Sequence, residues 1–525
     1  MINHRRRSLL QLTAMSAALL SRSVYVAETP SGKALSRFPF TLGVASGFPT
    51  SRGVVLWTRL APEPAAEDGL GGMPSDDVKV RWEVAGDQKF RRILQRGEII
   101  ATAAQAHSVR VQVSSLQPAR DYWYRFLIGD NSSSIVSSIG RTRTLPAAER
   151  EPREFRIAVA NCQHYEHGQF AAFRHIAQGA PELVLHLGDY IYEGATTPNR
   201  VRAHNGGLCR TLAEYRRRYA QYQMDPALQA AHAAAPWICT WDDHEVANDY
   251  SGVFSGRAED PAVFAQRRAA AYQAYCEHLP IPPAVGTDPS NVLLYARRQL
   301  GSLADLHVLD QRQYRSAQAC PQPGRAGGNQ VAGDCADLRD ASRTMLGVTQ
   351  EAWLNAGFAA TRARWNLLAQ GTVFSKVDEE PGENRRYAGD NWNGYPMARQ
   401  RVLDSLQKHR VQNPVVLSGD IHAFVAGNVR ATPERPDSAL LATEIAATSV
   451  SSDPRPPRQF EEWLAENPDL LLAEGRWRGY ALLRLSARHL QADLMAVDDR
   501  DDVNSGQHLL QSLVVEAGVP ELHRA

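Results

Sequence analysis

Four short apolar runs in this chain each stop at residues that can hold a metal ion or move a proton. Residues 155–163 (FRIAVANCQ) end in Asn161 and Cys162, and residues 184–193 (VLHLGDYIYE) end in Gly188 and Asp189, with Tyr190 and Tyr192 just beyond. Residues 237–245 (WICTWDDHE) deliver Asp242, Asp243 and His244, and residues 415–422 (VVLSGDIH) deliver Asp420 and His422. Carboxylate, imidazole and thiolate are the groups from which metal sites are built. One acid at a strand end means little. Four such ends in one chain point to side chains that converge on a shared metal cluster.

The ordered series Cys162, GDYIYE, WDDHEVAND and GDIH, with LDQRQYR (309–315), WNGYP (392–396) and TSVSS (448–452), resembles the PhoD-type alkaline phosphatase and phosphodiesterase family. The similarity runs in order from about residue 40 to residue 499, nearly the whole chain. It implies hydrolysis of phosphoric esters by a metal-bound hydroxide that attacks phosphorus directly, with no phospho-enzyme serine. The oxygens of a phosphate ester repel a nucleophile, and cations about 3.5–4 Å apart cancel that repulsion and acidify bound water. By the same resemblance Asp189 is the bridging ligand, Cys162, Tyr192 and His422 serve one ion, and Asp243 and Asp420 hold the other.

The resemblance implies ferric iron together with calcium. Thiolate and phenolate must both lose a proton to bind, which suits Fe³⁺, whereas carboxylates suit Ca²⁺. The residue types leave Mn²⁺ or Zn²⁺ open in either seat. His244 is expected to act as general acid or oxyanion stabiliser, with metal ligation as its alternative. Asn248 is expected to touch the phosphoryl group or a metal. Arg312 and Arg315 either bind the substrate phosphate or form structural ion pairs. Three positions depart from the family pattern, namely Asp249 for Asn, Asn161 for Ser and Asn393 for Asp. The first puts a direct role for Asp249 in doubt, and the others point to an altered substrate preference. His186 and Tyr190 read as core residues, and Trp392 and Tyr395 as loop-shaping aromatics.

The elements that must position these residues fall into two blocks. From residue 38 to 147 apolar and polar residues alternate between turn signals, as in a β-sandwich. Leu116, Pro118 and Tyr122 have the spacing of a tyrosine corner, and this block resembles a fibronectin type III or immunoglobulin-like domain. The charged, proline-containing stretch 146–154 marks a boundary. In residues 148–525 strands alternate with helical patterns at 168–178, 211–223, 262–276, 349–368 and 397–409. Further strands are expected at 306–310, 371–375 and 440–447, and a β-hairpin at 480–497. This mixed α/β and α+β reading agrees with the metallophosphoesterase sandwich, two β-sheets between helices, that the resemblance implies.

At 525 residues, 22% charged and 43% hydrophobic, the chain can bury a large core. Its net charge of +1 has no basic block in the body of the chain, which argues against a nucleic-acid partner. Residues 1–27 hold Arg5, Arg6, Arg7 and Arg22, no acid, and an apolar stretch too short to span a bilayer. They read as a twin-arginine export signal, with a general secretory signal or an anchor as alternatives. A periplasmic or secreted monomer that meets the twin-arginine machinery and has no integral membrane segment is therefore expected. Of six cysteines, Cys239 and Cys276 read as buried, Cys209 has no evident partner, and Cys320 with Cys335 is the disulfide candidate. Two rival readings remain at this level: a phospholipase D-like diesterase acting on lipid head groups, and a cell-envelope binding protein with a structural metal site.

Overall fold

The computed structural model describes residues 37–129, 134–286, 288 and 292–525. The expected export signal, including Arg6 and Arg7, lies outside the described residues.

Each apolar run folds as a buried strand of a parallel array, where both faces are covered and no polar alternation is needed. Strands Phe155–Ala160 (β1), Leu183–His186 (β2) and Trp237–Cys239 (β3) lie side by side, with Leu183 opposite Ile157 and Val184 opposite Trp237. A second parallel set comprises Ala304–Val308 (β4), Trp365–Ala369 (β5), Pro414–Ser418 (β6) and Leu440–Ala446 (β7). The first set is the centre of a ten-stranded sheet and the second of a seven-stranded one. One apolar core joins them: Ile157, Leu185 and Ile238 of the first sheet share it with Leu306, Leu367, Leu417 and Ile445 of the second. Helix Pro396–Lys408 packs Leu403 and Leu406 against Leu368 and Val416, on the far face of the second sheet. The metallophosphoesterase-like double-sheet sandwich is thus observed.

Two sequence expectations need correction. The helical pattern at 349–368 gives a helix only over Gly347–Ala360; Thr361 leaves the helix and its hydroxyl donates to Asp305 at 2.6 Å. The next apolar residues become β5, inserted between β4 and β6. Residues 371–375 are not a strand, because the Phe374 and Ser375 amides donate to the Glu444 carboxylate, each at 2.7 Å, instead of to a neighbouring chain.

The N-terminal strands Val78–Ala85, Ile93–Ala101, Asp121–Ile128 and Gly140–Arg143 form a separate antiparallel layer. Strands Val44–Thr50, Gly53–Arg59 and Ser108–Val113 instead extend the ten-stranded sheet through Gly47 beside Trp237. The tyrosine corner is formed: Tyr122 Oη accepts from the Gln117 amide at 2.8 Å. The hairpin expected at 480–497 appears as Gly479–Leu485 paired with His489–Val497, and Cys320 is bonded to Cys335.

Candidate metal centre

The carboxyl ends of both parallel sets meet at one edge of the sandwich, where open α/β sheets hold ligands. The chain turns sharply at these ends. Cys162, Asp189, Asp420 and His422 have φ of 54°, 56°, 63° and 56°, a conformation that costs an L-residue about 1–3 kcal/mol and marks functional sites. Gly188, with φ 112°, is required here because a Cβ would lie 2.4 Å from Asp242 Cβ and 2.6 Å from the Asp242 amide.

Donor atoms of Cys162, Asp189 and His422 lie within 4.8 Å of one another, and so do those of Asp189, Asp242 and Asp420. A third such group is Asp189, Asp243 and His244, and a fourth is Asp243, Asp249 and Asp390. Asp189 belongs to three of these four. Tyr192 joins the first, with Oη 2.8 Å from Asp189 Oδ2 and 3.2 Å from His422 Nε2. The resemblance placed Asp243 and Asp420 around Asp189, and each does group with Asp189: Asp420 beside Asp242, and Asp243 beside His244, with Asp249 and Asp390 on its other side. Asp242, which the 237–245 run delivers, is not in the ligand set that the resemblance implies. Its Oδ2 is buried without a hydrogen bond, as is Oδ1 of Asp243, which has only the Arg312 guanidinium at 3.7 Å.

The electrostatics explain what such a site lacks. Burial, then the neighbouring carboxylates of Asp189 and Asp420, pushes the Cys162 thiol well above its ordinary value. Burial, reinforced by Asp243 and Asp242, likewise raises Asp189 well up, and burial with Asp242 and Asp243 raises Asp420. Burial holds His422 well below the usual imidazole range, helped by Arg455 and Arg478. A bound cation reverses the resistance of crowded acids to ionisation and takes the imidazole in the neutral form it already has. The donor types and the orphaned carboxylate oxygens therefore fit metal ions.

The family model of the PhoD-like phosphatases matches residues 157–494, and that of their N-terminal domain matches residues 26–146. The chain is 40% identical over 484 residues to alkaline phosphatase D of Bacillus subtilis, covering 90% of this chain and 80% of that protein. The chain belongs to the PhoD-like phosphatase family. It is accordingly an enzyme, a phosphoric ester hydrolase with the metallophosphatase fold. A solved structure of PhoD superposes with a TM-score of 0.89 at 38% identity, over 94% of this chain and 93% of that one. A purple acid phosphatase from yellow lupin seeds shares the fold alone, with a TM-score of 0.53 at 11% identity over 91% of this chain and 74% of that one.

In this PhoD-like phosphatase the half-buried His244 and Asn248 stand at the edge of the carboxylate cluster. His244 Nδ1 donates to Glu193 Oε2 at 2.7 Å, which leaves Nε2 outside that bond, and Glu193 Oε1 accepts from the Asn248 amide at 2.9 Å. Burial alone would raise Glu193, but His244 and Arg267 hold it down at about 2. Glu245 lies behind the ligands. Its carboxylate accepts from the amides of Asp189, Tyr190 and Asp242 at 3.1, 2.6 and 2.9 Å, tying two ligand loops together. Neither glutamate was singled out from the sequence, although each closes a motif, GDYIYE or WDDHE. TSVSS braces the Cys162 loop: Ser452 Oγ donates to the Cys162 carbonyl at 2.8 Å and lies 2.9 Å from Tyr192 Oη.

Arg312 is engaged by carboxylates of the protein. It is fully buried, its Nε donates to Asp242, and its two Nη atoms reach Asp390 at 2.8 and 2.7 Å. Arg315 meets the same Asp390, so both arginines form the ion pairs that the structural alternative requires. Asn393 is a buried brace, with Oδ1 receiving Arg399 at 2.8 Å and the Val377 amide at 3.2 Å. His186 is fully buried against Trp237, and Tyr190 Oη pairs with His232 at 2.8 Å, as core residues should.

Proposed function

We propose that this phosphatase holds ferric iron among Cys162, Asp189, Tyr192 and His422, and calcium among Asp189, Asp242 and Asp420 with Asp243 adjoining. The observation that carries this reading is Asp189, whose carboxylate is common to a thiol- and phenol-bearing group and to two carboxylate-rich ones. When bound, the cations would neutralise the phosphoryl oxygens and acidify water. His244, oriented by Glu193, turns Nε2 toward the ester and donates a proton to the leaving oxygen. Asn248, anchored through its amide to the same carboxylate, donates to a phosphoryl oxygen. Arg312 stays with Asp242 and Asp390 and keeps that wall of the site fixed.

Working outside the cytoplasm as an exported protein is part of the proposal, supported by Arg6 and Arg7 ahead of an apolar stretch. Changing both to Lys should strand the precursor in the cytoplasm. No helix among the described residues is long and apolar enough to cross a membrane.

Asp189→Asn is expected to abolish hydrolysis of aryl phosphate monoesters and diesters. Near-normal turnover would defeat the shared-carboxylate reading, and elemental analysis that found zinc alone would defeat the iron assignment. Rates on a monoester, a diester and a phospholipid measured side by side separate the substrate classes.

A further inference from the structure

The Cys162 loop brings a third imidazole to Tyr192, beside those of His422 and His244. The His164 ring centroid lies 4.2 Å from that of Tyr192, and the His244 centroid lies 4.1 Å from it, so the phenol ring packs against both histidines. His164 is locked in place. It stacks on His167 at 3.6 Å with an interplanar angle of 1°, His167 Nδ1 accepts from the Asp453 amide at 3.0 Å, and Ser451 Oγ donates to the His164 carbonyl at 2.9 Å.

Its tautomer is set as well. His164 Nδ1 lies 3.2 Å from the Glu166 amide, which can only donate, so Nδ1 is the acceptor and the ring proton sits on Nε2. Among the described residues Nε2 has no protein partner, and the ring is half-buried. A rigid, neutral N–H beside a metal-seat residue, with no protein acceptor and a half-buried ring, is free to donate to an acceptor from outside.

We propose that His164 is a substrate-contacting residue whose Nε2–H donates to a non-bridging oxygen of the phosphoryl group, and of inorganic phosphate as product. In phosphoryl transfer the charge is spread over those oxygens, so a fixed donor there stabilises both transition state and product. This inference rests on the phosphoesterase reading of the centre and adds a contact to it.

The test uses the full-length, metal-loaded enzyme with inorganic phosphate as competitive inhibitor, in His164→Ala and His164→Gln. Gln carries an N–H close to the position of Nε2, whereas Ala carries none. The phosphate Ki should rise about tenfold in the Ala variant, the loss of one hydrogen bond, and stay within about threefold of native in the Gln variant. Metal per chain should match the native enzyme in both. An unchanged Ki in His164→Ala overturns the proposal, as does an equal rise in both variants. Should Ala lower the metal content, His164→Leu replaces it: a tenfold rise in Leu beside a near-native Ki in Gln supports the contact, and equal values in the two refute it. Absent turnover in the native enzyme would strike the phosphoesterase reading, whereas native turnover with an unchanged Ki strikes only His164.

Discussion

Replacing Glu193 by Gln should disable His244 while leaving every proposed metal ligand in place. The Glu193 carboxylate, 5% exposed, uses both oxygens as acceptors: Oε2 for His244 Nδ1 at 2.7 Å and Oε1 for the Asn248 amide at 2.9 Å. Gln offers one acceptor and one donor, so its NH₂ must face one of these two N–H groups. Either the imidazole loses its anchor or the Asn248 loop does. A hydrogen bond to a charged group contributes about 1.5–3 kcal/mol, and about 1.4 kcal/mol is a factor of ten in rate. Turnover should therefore fall roughly ten- to a hundred-fold, with KM little changed. Arg267 keeps Glu259 at 2.6 Å and the Tyr215 hydroxyl at 3.0 Å, so the fold should survive. The assay is kcat on p-nitrophenyl phosphate with metal content measured on the same preparation. A double-mutant cycle with His244→Ala sharpens it, because a residue acting through His244 should add little once that imidazole is gone. A kcat within twofold of native would refute the reasoning, and a full further loss in the His244→Ala background would assign the effect to the Asn248 loop instead of His244.

Gly188→Ala places a Cβ 2.4 Å from Asp242 Cβ at a φ of 112°. It should destabilise the fold by about 1–3 kcal/mol and displace both Asp189 and Asp242, read out as a large fall in bound metal; native metal content would contradict this. Arg312→Lys replaces a guanidinium fork by a single ammonium that cannot serve Asp242 and Asp390 together. Denaturant unfolding should show a loss of about 1.5–3 kcal/mol while KM stays within about twofold. A raised KM with unchanged stability would instead restore Arg312 to the substrate.

The ligand-bearing strand ends were legible because an apolar run closed by Gly-Asp, Asn-Cys or Asp-Asp-His is a local pattern, and β1, β2, β3 and β6 formed where those runs stood. Strand β5 was not legible. Its residues 365–369 continue the helical spacing of the segment before them, and only pairing with β4 and β6 makes them a strand. Residues 371–375 look like a strand until the Glu444 carboxylate, about seventy positions away, takes their amides.

The same distinction runs through the centre itself. Which residue types bind metal is a matter of chemistry and could be read from the chain, but which of two adjacent aspartates faces which ion depends on a turn. Asp242 is held by Arg312 and the Glu245 carboxylate, and its carboxylate groups with those of Asp189 and Asp420. Asp243 Oδ2 receives the Asp249 amide at 2.6 Å and is drawn toward Asp390. Arg312 decides that outcome from seventy positions away in the chain. Glu193 and Glu245 escaped notice for the same reason: an acid that organises backbone amides has no sequence signature apart from the amides it happens to meet. The centre is thus a set of legible ligands aimed by residues whose role appears only once the two sheets are packed.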